Sequence, residues 1–112
     1  MSRGTLEQSV LFALVALGGE AHGPAIIDEI EKRTGRRVSP GALYTVLERL
    51  AEKEQVEGWI GESTPDRGGR RRKVYRVLPE GARALQAWYD DVRALADGTG
   101  DLLQALADEV GG

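Results

Sequence analysis

Cysteine is absent from this chain of 112 residues, and histidine occurs only once, as His22. Without cysteine the chain forms no disulfide and no thiolate zinc site, and one histidine makes neither a metal site nor a triad. No nucleophile–base pair and no phosphate-binding glycine loop before a helix is present, and the adjacent Asp90 and Asp91 point in different directions on a helix. The sequence therefore argues against an enzyme and predicts no metal and no cofactor.

Long apolar segments are missing as well. The longest runs from Ser9 to Leu17, about half of the roughly 20 residues that a membrane-spanning helix requires. The N-terminus shows no small-residue cleavage pattern of a signal peptide. Because 41% of the residues are hydrophobic and 29% are charged, the chain has the composition of a globular protein. We expect one domain with one core, located in the cytoplasm.

Charge is divided unevenly along the chain. Residues 1–76 carry 13 Lys or Arg against 11 Asp or Glu, whereas residues 77–112 carry 2 against 7. The first two-thirds could therefore face a polyanion, while the last third would be repelled by one. The last third should point away from such a ligand or serve another task.

Three helices are predicted in the first half. The first has Thr5 as its N-cap and two apolar stripes, so it is buried on more than one side, by its own chain or a partner. The second starts near Pro24 and stops at Gly35. The third has the clearest start, with Ser39 as N-cap and Pro40 at the first helical position, and it runs to about Lys53.

The third helix has a polar face that suits a DNA groove. Gly41, Tyr44 and Thr45 are small or polar and lie near its N-terminus, as in the recognition helix of a helix-turn-helix. Ser39 could serve as a cap, a phosphate ligand or both. Arg49 could contact a phosphate or pair with neighbouring acidic residues. The role of Glu48, a cytosine contact or none, stays open.

A β-hairpin is predicted to follow, with strands over residues 56–63 and 73–77. Its turn contains Gly68 and Gly69 and is followed at once by four cations, Arg70, Arg71, Arg72 and Lys73. Alone, such a run is consistent with a solvated loop. After a helix-turn-helix it predicts a wing that contacts phosphates or the minor groove.

The last third predicts a helix with an apolar seam. Leu85, Trp88, Val92 and Leu95 recur at spacings of three and four, and Leu102 and Leu106 stay in register across residues 98–100. Two glycines in that stretch argue for a break, and we expect one long helix that is weakened or kinked there. The unpaired seam predicts a homodimer. Trp88 and Tyr89 either line a cavity for an aromatic effector or belong to the core or dimer seam.

Several of these segments resemble the PadR-type transcriptional regulators, which are winged helix-turn-helix repressors. The order and spacing agree over residues 4–95. The matching pieces are Gly4-Thr5-Leu6, His22-Gly23, Ser39-Pro40-Gly41-Ala42-Leu43-Tyr44, Leu47-Glu48-Arg49-Leu50, Gly69-Arg70-Arg71, Lys73-Val74-Tyr75-Arg76 and Pro79-Glu80-Gly81. The chain departs from the family pattern at Pro24, at Leu78 and at Gln55-Val56-Glu57.

The resemblance implies a mainly α fold with a small β-hairpin. It divides the chain into a winged helix-turn-helix DNA-binding part, residues 1–78, and a C-terminal dimerisation helix, residues 79–112. It also implies a homodimer on double-stranded operator DNA, acting as a repressor, and some members of the smaller subfamily bind planar aromatic effectors between subunits. The predicted DNA-binding residues are Ser39, Gly41, Tyr44, Thr45, Arg49, Gly69, Arg70, Arg71, Arg72 and Lys73. The predicted effector-binding or dimer-seam residues are Leu85, Trp88, Tyr89 and Val92. A winged-helix protein-interaction module without DNA binding is the alternative.

Overall fold

The computed structural model describes residues 3–61 and 72–109 of the chain. Within these residues the chain forms five helices and three short strands. In order they are α1 (Arg3–Ala16), β1 (Glu20–His22), α2 (Gly23–Thr34), α3 (Pro40–Glu52), β2 (Val56–Ile60), β3 (Lys73–Val77), α4 (Pro79–Ala96) and α5 (Gly100–Ala107). None of the helices in the described part is both long and apolar enough to cross a membrane.

The sheet is antiparallel and has the strand order β1-β3-β2. The predicted hairpin β2–β3 forms, with Val56 opposite Val77 and Ile60 opposite Lys73. Its first strand ends at Ile60, before the predicted limit at residue 63. The third strand, β1, was not predicted, because three residues between glycines carry no period-two pattern. It pairs with β3 in a register that places Ala21 opposite Tyr75. β3 is therefore the central strand and connects the wing to the start of α2.

Side chains at the start of α2 and α3 cap both helices. The Nδ1 of His22 accepts a hydrogen bond from the Ala25 amide at 3.2 Å, and the Ser39 hydroxyl accepts one from the Ala42 amide at 3.2 Å. Gly35 ends α2 with a φ of 74°, a left-handed conformation that glycine adopts without steric strain. The predicted boundaries of both helices are thus confirmed, but Thr5 lies inside α1, which begins at Arg3, so it is not the N-cap.

The core lies where the three N-terminal helices meet the inner face of the sheet. The predicted stripe of α3, Leu43, Val46, Leu47 and Leu50, is buried throughout. It packs against buried residues from the other elements, which are Leu6, Val10, Leu11, Ala13, Leu14, Ile26, Ile27, Ile30, Val38, Val56, Tyr75 and Leu85. In α1, Leu6, Val10 and Leu14 of one predicted stripe face this core, whereas Phe12 and Val15 of the other remain exposed.

The expected single C-terminal helix is wrong, because α4 ends at Ala96 and α5 begins only at Gly100. Asp97 has an extended ψ of 127°, and Gly98 has a φ of 75°. The helical hydrogen bonding of α4 therefore does not continue beyond these two residues. The left-handed conformation explains why glycine stands at position 98. The described residues extend 58 Å along the longest axis and 21 Å along the shortest.

Candidate nucleic-acid interface

The N-terminal half of α3 presents a polar surface. Ser39, Gly41 and Thr45 are exposed, and the Thr45 hydroxyl donates a hydrogen bond to the Gly41 carbonyl at 2.9 Å. Arg49 is half-buried, and among the described residues it makes no ion pair within 4.0 Å. The pairing with Glu52 that the sequence allowed is therefore not formed. Arg49 keeps its charge available at the flank of the helix.

The side chain of Tyr44 projects from α3 toward the start of α2 and the wing strand β3. It is 40% exposed, but a Cβ built on Gly23 would come within 2.3 Å of its hydroxyl. Its ring centroid lies 6.4 Å from that of Tyr75 at an interplanar angle of 43°. One part of Tyr44 thus faces solvent, and the rest is packed against two neighbouring elements.

Glu48 lies one helical turn after Tyr44 on α3 and is exposed. Burial raises the pKa of the Tyr75 hydroxyl above its ordinary value, and the nearby Tyr44 and Glu48 raise this pKa further. A carboxylate beside a phenol disfavours the phenolate, because two negative charges would then lie close together. Glu48 therefore acts on the charge of a β3 residue, an effect that the sequence alone did not indicate.

The described part of the wing begins with two exposed cations, Arg72 and Lys73. The Gly61 amide donates to the Arg72 carbonyl at 2.7 Å, so the hairpin pairing continues beyond the strands. A guanidinium nitrogen of Arg72 lies 3.2 Å from the Nε2 of His22, and the Lys73 ammonium lies 5.7 Å from the Tyr75 ring centroid. The predicted site residues Gly69, Arg70 and Arg71 lie outside the described residues.

Two further arginines stand directly before α3. Arg37 pairs with Glu31 at 2.8 Å and with Asp28 at 3.3 Å, and the hydrogen bonds that it donates to Glu31 and then to Asp28 raise the pKa of its guanidinium. Arg36 is exposed and makes no ion pair within the described part of the chain. It lines a cleft together with Ser39. Sequence reasoning treated Arg36 only as part of a connector, although a cation next to a helix N-terminus was the available signal.

Aromatic residues of α4 meet α1 on the opposite part of the molecule. The Phe12 ring lies 6.0 Å from both Trp88 and Tyr89, in edge-on geometries. Trp88, Tyr89 and Val92 are each exposed by between 37% and 41%. Leu85 is buried in the core of its own chain. The predicted seam residues therefore divide, with Leu85 inside and the other three on a partly exposed apolar face.

A cleft of about 480 Å³ opens beside this face, between α1 and α2. Its lining is mostly apolar and includes Phe12, Val15 and Ile30, with Arg33 near its edge. Further apolar surface lies on α5, where Leu102, Leu103 and Leu106 are each more than half exposed. No group of three His, Cys, Asp or Glu in the described ranges could hold a metal ion.

Comparison with known proteins agrees with this geometry. The model of the transcriptional regulator PadR-like family matches residues 11–87, which is more than half of the chain. The chain belongs to the PadR-like family of transcriptional regulators. Members of this family are regulators and not enzymes, so the prediction from the missing catalytic residues is confirmed.

Individual PadR relatives extend the match. Transcriptional regulator Rv3488 of Mycobacterium tuberculosis is 39% identical over 82 residues, which is 73% of this chain and 69% of that protein. A PadR family regulator of Eggerthella lenta has a TM-score of 0.69 and 30% identity, covering 90% of this chain and 83% of that one. A PadR-like regulator of Bacillus cereus has a TM-score of 0.72 and 25% identity, covering 90% and 93%.

The fold is also shared beyond the PadR family. A winged-helix DNA-binding protein from STIV has a TM-score of 0.66 at 21% identity and covers 81% of this chain and 90% of its own. At that identity the likeness concerns the fold alone. The predicted winged helix-turn-helix architecture is therefore confirmed.

Proposed function

We propose that this PadR-family regulator binds operator DNA as a homodimer, acts as a repressor and is released by a small-molecule effector. One observation carries the DNA-binding part of this proposal. Lys73 lies over Tyr75, and Tyr75 contacts Tyr44, so a wing cation lies next to the recognition helix. A duplex can contact both elements at once when the helix enters the major groove and the wing follows the backbone.

In this arrangement Gly41, Tyr44 and Thr45 turn toward the bases, while Ser39 and Arg49 flank them. The Ser39 end of α3 favours a phosphate, because its first backbone amides and the helix dipole point outward. The wing cations Arg70, Arg71, Arg72 and Lys73, with Gly69 in the turn, contact the backbone or minor groove. We add Arg36 as a phosphate ligand, since it is exposed and lines the cleft beside Ser39.

Salt titration with labelled random duplex tests this directly. Wild-type protein should bind with an affinity that falls steeply as salt rises, because each phosphate contact releases counterions. Replacing Arg72 and Lys73 by alanine should reduce the slope of log K against log salt by about 1.8, at roughly 0.9 per contact. The variant with Arg83→Ala and Arg93→Ala removes the same charge from α4 and should keep the slope. No salt-dependent binding by wild type would favour the protein-interaction module.

The homodimer is supported by apolar surface that the single chain leaves uncovered. Leu95 is 80% exposed and Leu102 is 66% exposed, and α5 has only eight residues, too few for an isolated helix to be stable in water. We propose that the C-terminal part of one subunit packs on α1 of its partner. Asp101 of α5 and Asp108, which follows α5, would then approach the cleft edge that carries Arg33.

Sedimentation velocity at micromolar concentration tests the dimer. Wild type should sediment as a dimer, and replacing Leu102, Leu103 and Leu106 by glutamine should shift it toward monomer. Replacing Asp90 and Asp91 by asparagine changes an exposed polar part of α4 and serves as the control. A monomeric wild type would contradict the proposed architecture.

The effector is the second part of the proposal. The edge-on cluster of Phe12, Trp88 and Tyr89 is partly exposed and suits stacking with a flat apolar molecule. Such a ligand would release DNA only if it binds the DNA-free arrangement of the two subunits more tightly than the DNA-bound arrangement. Titration of planar dyes should quench tryptophan fluorescence, and Trp88→Phe should remove that quenching although Trp59 remains. Undiminished quenching in that variant would place the ligand elsewhere.

The proposal also covers the division of the chain into two parts and the location of the protein in the cell. We divide the chain into a DNA-binding part, residues 1–78, and a dimerisation part, residues 79–112, because the sheet ends at Val77 and α4 begins at Pro79. We place the protein in the cytoplasm, where a bacterial operator is found.

A further inference from the structure

A row of contacts connects the recognition helix with two other elements. Tyr44 of α3 lies against Gly23, the first residue of α2, and its ring also contacts Tyr75 of the central strand β3. The ammonium of Lys73, two residues earlier on β3, lies 5.7 Å from the centroid of the Tyr75 ring. We call Gly23, Tyr44, Tyr75 and Lys73 the tyrosine row.

A glycine beside each of the two tyrosines leaves space for its aromatic ring. A Cβ at Gly23 would lie 2.3 Å from the Tyr44 hydroxyl oxygen and 2.9 Å from its Cζ. A Cβ at Gly58 of β2 would lie 2.9 Å from Cε1 of Tyr75. Real Cβ atoms do not approach so closely, so a larger residue at either position would have to displace a tyrosine. Both rings therefore occupy space that a side chain at position 23 or 58 would need.

Tyr75 cannot itself read DNA, because it is only 7% exposed. It nevertheless stands between the recognition helix and the wing cation Lys73. Packed side chains that connect two elements restrict how the elements move relative to each other. Movement of the Tyr44 ring would therefore change the angle between α3 and β3, and with it the position of the wing cations.

We propose that Tyr44 is a positioning residue whose ring, held between Gly23 and Tyr75, fixes the wing at the angle that brings its cations to the phosphates. The proposal rests on the proposed DNA binding and assigns Tyr44 a second task in addition to contact with a base. The two tasks differ in their salt dependence. A neutral side chain that only touches a base leaves the number of phosphate contacts unchanged. A residue that positions the wing changes that number without removing any charge.

The first experiment measures salt slopes on random duplex for Tyr44→Ala and Gly23→Ala. Each should lower the slope by about 0.9 for every phosphate contact that the displaced wing loses, and the affinity should fall between about 2-fold and 30-fold, the range for coupling through packed side chains. Tyr44→Phe retains the ring and should recover the slope lost in Tyr44→Ala. Combining Gly23→Ala with Tyr44→Ala should cause no further loss, because the atom that position 23 would displace is gone.

The second experiment needs no DNA. Trypsin cleavage after Arg72 and Lys73 should be faster in Tyr44→Ala and Gly23→Ala than in wild type, and Tyr44→Phe should restore the slow rate. Ile30→Val, a cavity-forming change in the second half of α2, controls for a general loss of stability, and thermal unfolding is recorded for every variant.

The outcomes separate the two proposals. Absent salt-dependent binding by wild type contradicts the DNA-binding function and overturns the positioning role with it, and faster cleavage in the variants would then show only that Tyr44 holds the wing in place. Reduced affinity of Tyr44→Ala with an unchanged salt slope assigns Tyr44 to direct contact and overturns the positioning role. Unchanged cleavage in Tyr44→Ala and Gly23→Ala overturns it as well.

Discussion

Replacing Gly81 by alanine should destabilise the fold strongly, because Gly81 lies where α4 touches the turn between α3 and β2. A Cβ at this position would lie 2.2 Å from the Gln55 carbonyl oxygen and 3.1 Å from Cγ2 of Val77. The same carbonyl accepts the Leu78 amide at 2.9 Å. Since the nearest clash is with backbone and not with a flexible side chain, α4 or the turn after α3 must move.

The magnitude follows from three contributions. Losing the Leu78–Gln55 hydrogen bond leaves a half-buried pair unmatched, which costs about 1–3 kcal/mol. Overpacking against a fixed backbone costs about 1–3 kcal/mol more, while alanine recovers about 1 kcal/mol through its helix propensity. We therefore expect the free energy of unfolding to fall by about 3 kcal/mol. At roughly 4 °C per kcal/mol for a domain of this size, Tm should fall by about 12 °C.

The assay is thermal unfolding followed by circular dichroism at one fixed protein concentration, since association also changes Tm. Gly4→Ala is the matched control, because Gly4 lies in α1 and a Cβ there would meet nothing within 4 Å. That variant should be unchanged or up to about 1 kcal/mol more stable. If Gly81→Ala were as stable as Gly4→Ala, the close approach of α4 to Gln55 would be refuted.

Three further predictions concern the turn after α3, the buried Tyr75 of β3 and the wing. Glu54 has a φ of 59°, so Glu54→Gly should raise the free energy of unfolding by about 1 kcal/mol in a denaturant melt, and an unchanged midpoint would argue against that conformation. The raised pKa of Tyr75 favours the neutral phenol in the fold, so its contribution to stability is complete below about pH 10 and is lost as pH rises through the folded pKa. Tyr75→Phe should lose less stability than wild type in melts above that pH, and parallel curves would contradict this. The double variant Arg70→Ala with Arg71→Ala should reduce the salt slope by about 1.8 on random duplex, and an unaltered slope would show that these arginines do not contact phosphates.

Local signals in the sequence determined most helix limits and the order of the elements. Ser39 with Pro40 determined where α3 begins, and Gly35 determined where α2 ends, because a cap or a left-handed glycine acts on its own turn of helix. The apolar positions of α3, spaced by three and four, determined which face is buried. These features depend on neighbours within a few residues, so the sequence shows them directly.

Only the tertiary structure decided the contacts between distant residues. The strand β1 exists because Ala21 finds Tyr75 as its partner, and its three residues have no strand signal of their own. Gly23 and Gly81 look like ordinary loop or turn glycines in sequence, yet each is required because a side chain or carbonyl from another element occupies the space of a Cβ. The apolar register favoured one long C-terminal helix, but the left-handed Gly98 divided it, because no packed neighbour holds a helix together at that point. Helix ends are local in origin, whereas close approaches arise only when the chain has folded.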